Sequence, residues 1–106
     1  MNKRQVRVLR PGADQTELVR ALRLIGRLDL KRAHDLAVHL EQHADTVVIA
    51  GVDAKVADYV AELLLATGAE VRVQASSVDS PMICMPEANV IYEWGAMRTI
   101  RARKAG

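Results

Sequence analysis

Apolar residues change their spacing along this chain, and each change marks an element. Between Gln5 and Leu9, Val6 and Val8 alternate with polar neighbours, the two-residue period of a half-buried strand, and Pro11-Gly12 ends it. From Asp14 the period lengthens. Leu18, Ala21, Leu22 and Ile25 share one face of a helix, Asp14 and Glu17 have the spacing of a capping box, and Gly26 lies near the end. Asp29 opens a second helix whose Ala33, Leu36, Ala37 and Leu40 fall on one side. Thr46 to Ala50 (TVVIA) is β-branched and apolar, as in a covered central strand, and Gly51 is expected to break it. Asp53 caps a third helix carrying Val56, Tyr59, Val60, Leu63 and Leu64, which Gly68 stops. Glu70 to Gln74 alternates again, with Val71 and Val73 pointing one way.

The order strand, helix, helix, strand, helix, strand predicts an α+β two-layer sandwich, a three-stranded sheet covered on one face by three helices. Its predicted core is Val6, Val8, Leu18, Leu22, Ile25, Leu36, Leu40, Val48, Val60, Leu63, Leu64, Val71 and Val73. Residues 1–75 make up this domain, and residues 76–106 form an extension packed on it. Two patterns coexist in the extension. Pro86 and Glu87 open a helix with Val90, Ile91, Trp94, Met97 and Ile100 near helical spacing, and Arg98, Arg101, Arg103 and Lys104 lie where its macrodipole favours cations. This is the favoured expectation. The rival makes strands of Met82 to Met85 and Val90 to Trp94, because Val90, Tyr92 and Trp94 alternate and Gly95 interrupts a helix. In both, Ile91 and Trp94 need cover and are the residues expected to support a homodimer.

With 106 residues, the chain has room for one core, and with only Tyr59, Tyr92 and Trp94 aromatic that core must be aliphatic. The net charge of +2 conceals a polarity: nine Lys/Arg against three Asp/Glu in residues 1–34, two against ten in residues 35–93, and four against none in residues 94–106. Five cations, Arg20, Arg23, Arg27, Lys31 and Arg32, crowd the turn between the first two helices. That is more charge than two helix faces can bury, so the turn is the expected working surface, and an acidic protein its expected partner. Nucleic acid is the less favoured partner, since no recognised nucleic-acid motif accompanies the charge.

No stretch approaches the roughly 18 apolar residues of a membrane span, and the N-terminus lacks the apolar run of a signal peptide. A lone Cys84 forms no internal disulfide, so a soluble, cytoplasmic protein is expected. His34, His39 and His43 do not have metal-site spacing, and neither a metal nor a cofactor is expected. Cys84 sits in the apolar run SPMICMPE, Ser76 and Ser77 lack a nucleophile elbow, and Gly51 and Gly68 are isolated rather than part of a phosphate loop. The expectation is a non-catalytic protein.

Three stretches resemble the C-terminal domain of the bacterial ribosomal stalk protein, in this order: Leu28-Asp29-Leu30-Lys31-Arg32-Ala33-His34-Asp35-Leu36, Gly51-Val52-Asp53-Ala54-Lys55, and Gly68-Ala69-Glu70-Val71-Arg72-Val73. The resemblance covers residues 5–74 and implies a β-α-α-β-α-β fold. It also implies a non-catalytic, translation-related role, because that family uses its first two helices to recruit translational GTPases. By position, Leu18 and Val19 match the apolar part of the family's binding face, Arg20 and Arg23 its basic part, and Lys31 its motif lysine. His34 stands where the family has lysine, and Arg27 and Asp29 replace small residues of the turn. The chain starts at the first strand, without the ribosomal protein's dimerisation segment and hinge, which implies a stand-alone domain with a changed partner. The Clp protease adaptor for N-degrons has the same topology and provides an alternative, a degron-binding adaptor. Its pocket would fall at Arg10-Pro11-Gly12-Ala13-Asp14, where one carboxylate is present. A ribosome or nucleic-acid binder acting through the basic terminal segments is the other alternative.

Overall fold

The computed structural model describes residues 3–84, 90–93 and 99–101, the last two stretches as strands without their side chains. The fold is α+β. It runs β1 (Arg4–Arg10), α1 (Gln15–Gly26), α2 (Leu30–Gln42), β2 (Thr46–Val52), α3 (Ala54–Leu65) and β3 (Glu70–Ala75), then β4 (Met82–Cys84), β5 (Val90–Glu93) and β6 (Thr99–Arg101). The first two helices start where side-chain oxygens satisfy free N–H groups. Asp14 Oδ1 accepts from Glu17 N at 3.2 Å, and Asp29 Oδ1 accepts from Arg32 N at 2.8 Å. Asp53 precedes α3 but makes no such cap; its carboxylate takes Lys3 Nζ, from the residue just before β1, at 2.9 Å.

The sheet is not the three-stranded one predicted. Its order is β3-β1-β2-β4-β5-β6, with every neighbouring pair antiparallel, so the extension continues the sheet from the free edge of β2. The helix expected after Pro86 is accordingly replaced, within the described residues, by β5 and β6. The physical reason lies in β2, whose outer N–H and C=O groups would otherwise form an unpaired edge. Ile49 pairs with Ile83 and Ala50 with Met82.

To reach that edge the chain must pass from β3 across the end of β1 and β2, and residues 76–81 do this under tight hydrogen bonding. Ser76 N donates to Lys3 O, Gly51 N donates to Ser76 Oγ at 2.9 Å, and Ser77 N donates to the buried Gln5 Oε1 at 3.4 Å. Gly51 does not end β2, as the sequence had implied. It sits inside the strand at φ +72°, where a Cβ would stand 2.0 Å from Ser80 O, so only glycine admits the crossing chain. Two register shifts separate Arg7↔Val47 from Arg4↔Val52, and the irregularity leaves the adjacent Val48 and Ile49 both fully buried.

One core lies between the sheet and the helices, and α1 packs on both α2 and α3. Leu18, Leu22, Ile25, Leu36, Leu40, Val6, Val8, Val48, Val60 and Leu64 are all buried within it. Val73 is not: β3 is an edge strand and this side chain is 36 % exposed. Leu63 and Val71 lie at the margin, because the buried stripe of α3 is Ala57, Val60, Ala61 and Leu64. Ile83 of β4 is 1 % exposed and reaches the α1 turn, where a Cβ on Gly26 would lie 3.4 Å from it. Among the described residues, no helix is long and apolar enough to cross a membrane.

Candidate functional site

The turn joining α1 to α2 is built on two local decisions. Helix α1 ends at Gly26, and Arg27 takes the left-handed conformation, φ 52° and ψ 38°, that reverses the chain. Leu28 then folds inward to 7 % exposure, and Asp29 caps α2. The Arg32 N–H first, and then the Arg32 side chain, hold the Asp29 carboxyl below its ordinary value, so the cap is charged at neutral pH.

Above this turn lies an open groove of about 520 Å³. Its floor is Val19 and Leu28, its rim carries Arg20, Arg23 and Arg27, and Leu24, Leu30 and Thr16 complete it. Leu24 and Leu30 are 60 % and 61 % exposed, while the helix stripe beneath them is dry. Arg20 meets Glu17 at 3.2 Å, a solvent-exposed pair that holds it only weakly. Arg23 and Arg27 have no hydrogen bond or ion pair among the described residues. The site therefore combines apolar surface with two cations, Arg23 and Arg27, whose charge is uncommitted among the described residues.

Of the residues singled out in the sequence, Val19, Arg20, Arg23 and Arg27 come together here. Leu18 does not reach the surface; at 1 % exposure it belongs to the core, one position off the floor. Lys31 and His34 are exposed on α2 but do not line the groove, and Lys31 is ion-paired with Asp35 at 3.1 Å. Leu24 and Leu30 were missed as contact residues. The signal for them was present, since both are leucines that fall off the apolar stripes of their own helices. Ile91 lies in β5, paired with Cys84 and Ile100, and its side chain, like Trp94, is outside the described residues.

The groups weighed for other chemistry are placed as follows. Cys84 is in β4, and burial pushes its thiol above the ordinary value, away from the thiolate a nucleophile needs. The rings of His39 and His43 stack at 4.2 Å near the end of α2, and among the described residues no group of three His, Cys, Asp or Glu is arranged to hold a metal. Asp14, the one carboxylate of the loop after β1, is engaged in capping α1, and Arg10 is ion-paired with Glu70. Compared with models of known protein families and with curated proteins, the chain has no match.

Proposed function

We propose that this chain is a non-catalytic protein-binding module whose α1–α2 groove receives an acidic segment bearing apolar side chains. The observation that carries the reading is the meeting of two exposed leucines, Leu24 and Leu30, with the rim of Arg20, Arg23 and Arg27 around one groove. An exposed leucine alone is ordinary, and so is an exposed arginine. Their concentration on one concave surface favours a ligand with anchors for the floor and carboxylates for the rim. The likeness of residues 28–36 and 51–73 to the stalk-protein domain supports the same reading. It directs the search for a partner toward translational GTPases in the cytoplasm.

Fluorescence anisotropy with three labelled peptides tests this: an amphipathic acidic helix with leucines one turn apart, the same peptide with the leucines replaced by serine, and the same peptide with its acids replaced by lysine. Only the first should bind, less tightly as salt is raised. Arg23→Glu and Leu24→Asp should each weaken it by about tenfold or more, the effect of losing one anchor or reversing one rim charge. Equal binding of all three peptides would sink the proposal. Capture of an RNA oligonucleotide in place of every peptide would transfer the surface to nucleic acid.

A further inference from the structure

Helix α1 is the middle helix of the layer, and a second, smaller depression of about 130 Å³ runs along its other side, against α3. Arg20 and Leu24 line both depressions, so they form a ridge between them. Across the smaller one stand Leu63 of α3 and its C-cap Ala66. The ridge and the outer face of α3 therefore lie side by side on the same surface of the molecule.

That outer face has the chemistry the groove lacks. With Ala57, Val60, Ala61 and Leu64 turned to the core, Tyr59, Glu62 and Ala66 follow one another at helical spacing on the opposite side, and Tyr59 is 51 % exposed. Asp58 adds a second carboxylate. Neither Asp58 nor Glu62 has a hydrogen bond or ion pair among the described residues, and Lys55 in the first turn is the single cation of the helix. Helix α3 thus presents an aromatic anchor among unpaired acids, and α1 presents leucine beside Arg23, which has no partner among the described residues, and Arg20, held only by the exposed pair with Glu17. Within one molecule the two faces are neighbours and cannot meet.

We infer that the groove's occupant includes a second copy of this chain: a two-fold dimer in which the Tyr59–Glu62 face of each protomer seats on Leu24, Arg20 and Arg23 of the other. The placement of the patches determines the symmetry. Because both lie on one surface, a two-fold axis along the seam between α1 and α3 brings each α3 over the partner's α1, and the contact is made twice and closes. Patches on opposite sides would instead have built an open chain. The inference rests on the groove being a docking surface for acidic, apolar segments, and it adds that self-association occludes that surface, so that dimer and acidic partner compete.

Sedimentation equilibrium at low salt, over a wide range of protein concentration, tests it with two charge reversals. Arg23→Glu and Glu62→Arg should each leave a folded monomer, with self-association weakened by roughly a hundredfold, because each places like charges together at both contacts. An equimolar mixture of the two should dimerise again: one contact then has the exchanged pair and the other the native pair. A misfolded variant would not complement in this way. A wild type that stays monomeric, or variants that dimerise as it does, would overturn the inference. The acidic leucine peptide separates this from the proposed function. It should bind Glu62→Arg at least as tightly as wild type, since the groove is intact there. Peptide binding by a strictly monomeric wild type would remove the dimer and leave the binding module.

Discussion

The two helices that flank the seam end in different ways. Helix α3 closes through Ala66, Thr67 and Gly68: Thr67 N donates to Leu64 O, Gly68 N donates to Leu65 O, Thr67 Oγ1 donates to Leu64 O at 2.6 Å, and Gly68 takes the left-handed conformation at φ +90°. This turn meets its conformational demand with glycine and satisfies its carbonyls locally. Helix α1 has a glycine too, but one residue early, in its last helical position, and the left-handed residue is Arg27. A side chain there costs about 1 kcal/mol that glycine would not. The α3 turn uses the residue with the least backbone cost, whereas the turn at the groove carries a cation at its left-handed position.

The largest effect is expected beneath the α1 turn. Ile83 packs beneath the α1 turn from β4, so Ile83→Ala should lower unfolding stability by roughly 2–5 kcal/mol in a urea titration, the usual range for buried large-to-small changes. A loss within experimental error would mean that β4 does not belong to the core. The two turns themselves should respond with opposite signs. Gly68→Ala meets nothing closer than Gly12 Cα at 3.6 Å, so its cost is that of the backbone, about 1–2 kcal/mol. Arg27→Gly should be neutral or stabilising by up to about 1 kcal/mol, relief of the left-handed penalty being partly offset by the freer unfolded chain, while peptide binding weakens. Destabilisation by both would remove the contrast. Leu24→Asp sharpens it further: being exposed, it should leave the unfolding free energy within about 0.5 kcal/mol of wild type while peptide binding weakens.

The smallest effect is at the far end of α2. Burial, and then the neighbouring His43, lower the pKa of His39, so protonation is less favourable in the folded protein than in the unfolded one. The stability linked to His39 is therefore fully present above its ordinary value near 6.5 and declines as pH falls through that value toward the folded one. Unfolding titrations between pH 7.5 and about 5 should show a slight loss that His39→Gln flattens. A loss of the same size in that variant would assign it to other groups.

What the sequence determined by itself is whatever depends on neighbours along the chain. The caps at Asp14 and Asp29, the stop at Gly68 and the apolar stripes of α1 and α2 were legible because hydrogen bonds and helical periodicity act over three or four residues. The basic part of the groove was legible for the same reason, as Arg20, Arg23 and Arg27 recur three and four residues apart along α1 and its C-cap. Tertiary structure decided the rest. Asp53 lost its capping role to Lys3, fifty residues away; Val73 became exposed on β3, which among the described residues has no strand on its outer side; and β2 runs on through Gly51 because Ser80 crosses there. The extension, whose pattern suits either a helix or strands, has strands at its described residues 82–84, 90–93 and 99–101, the first of them paired on the edge of β2. Leu24 and Leu30 fall off their helix stripes by sequence alone, but only the packed layer shows that nothing among the described residues covers them. Burial and edge pairing are properties of segments distant in the chain, and local pattern carries no information about which segment arrives.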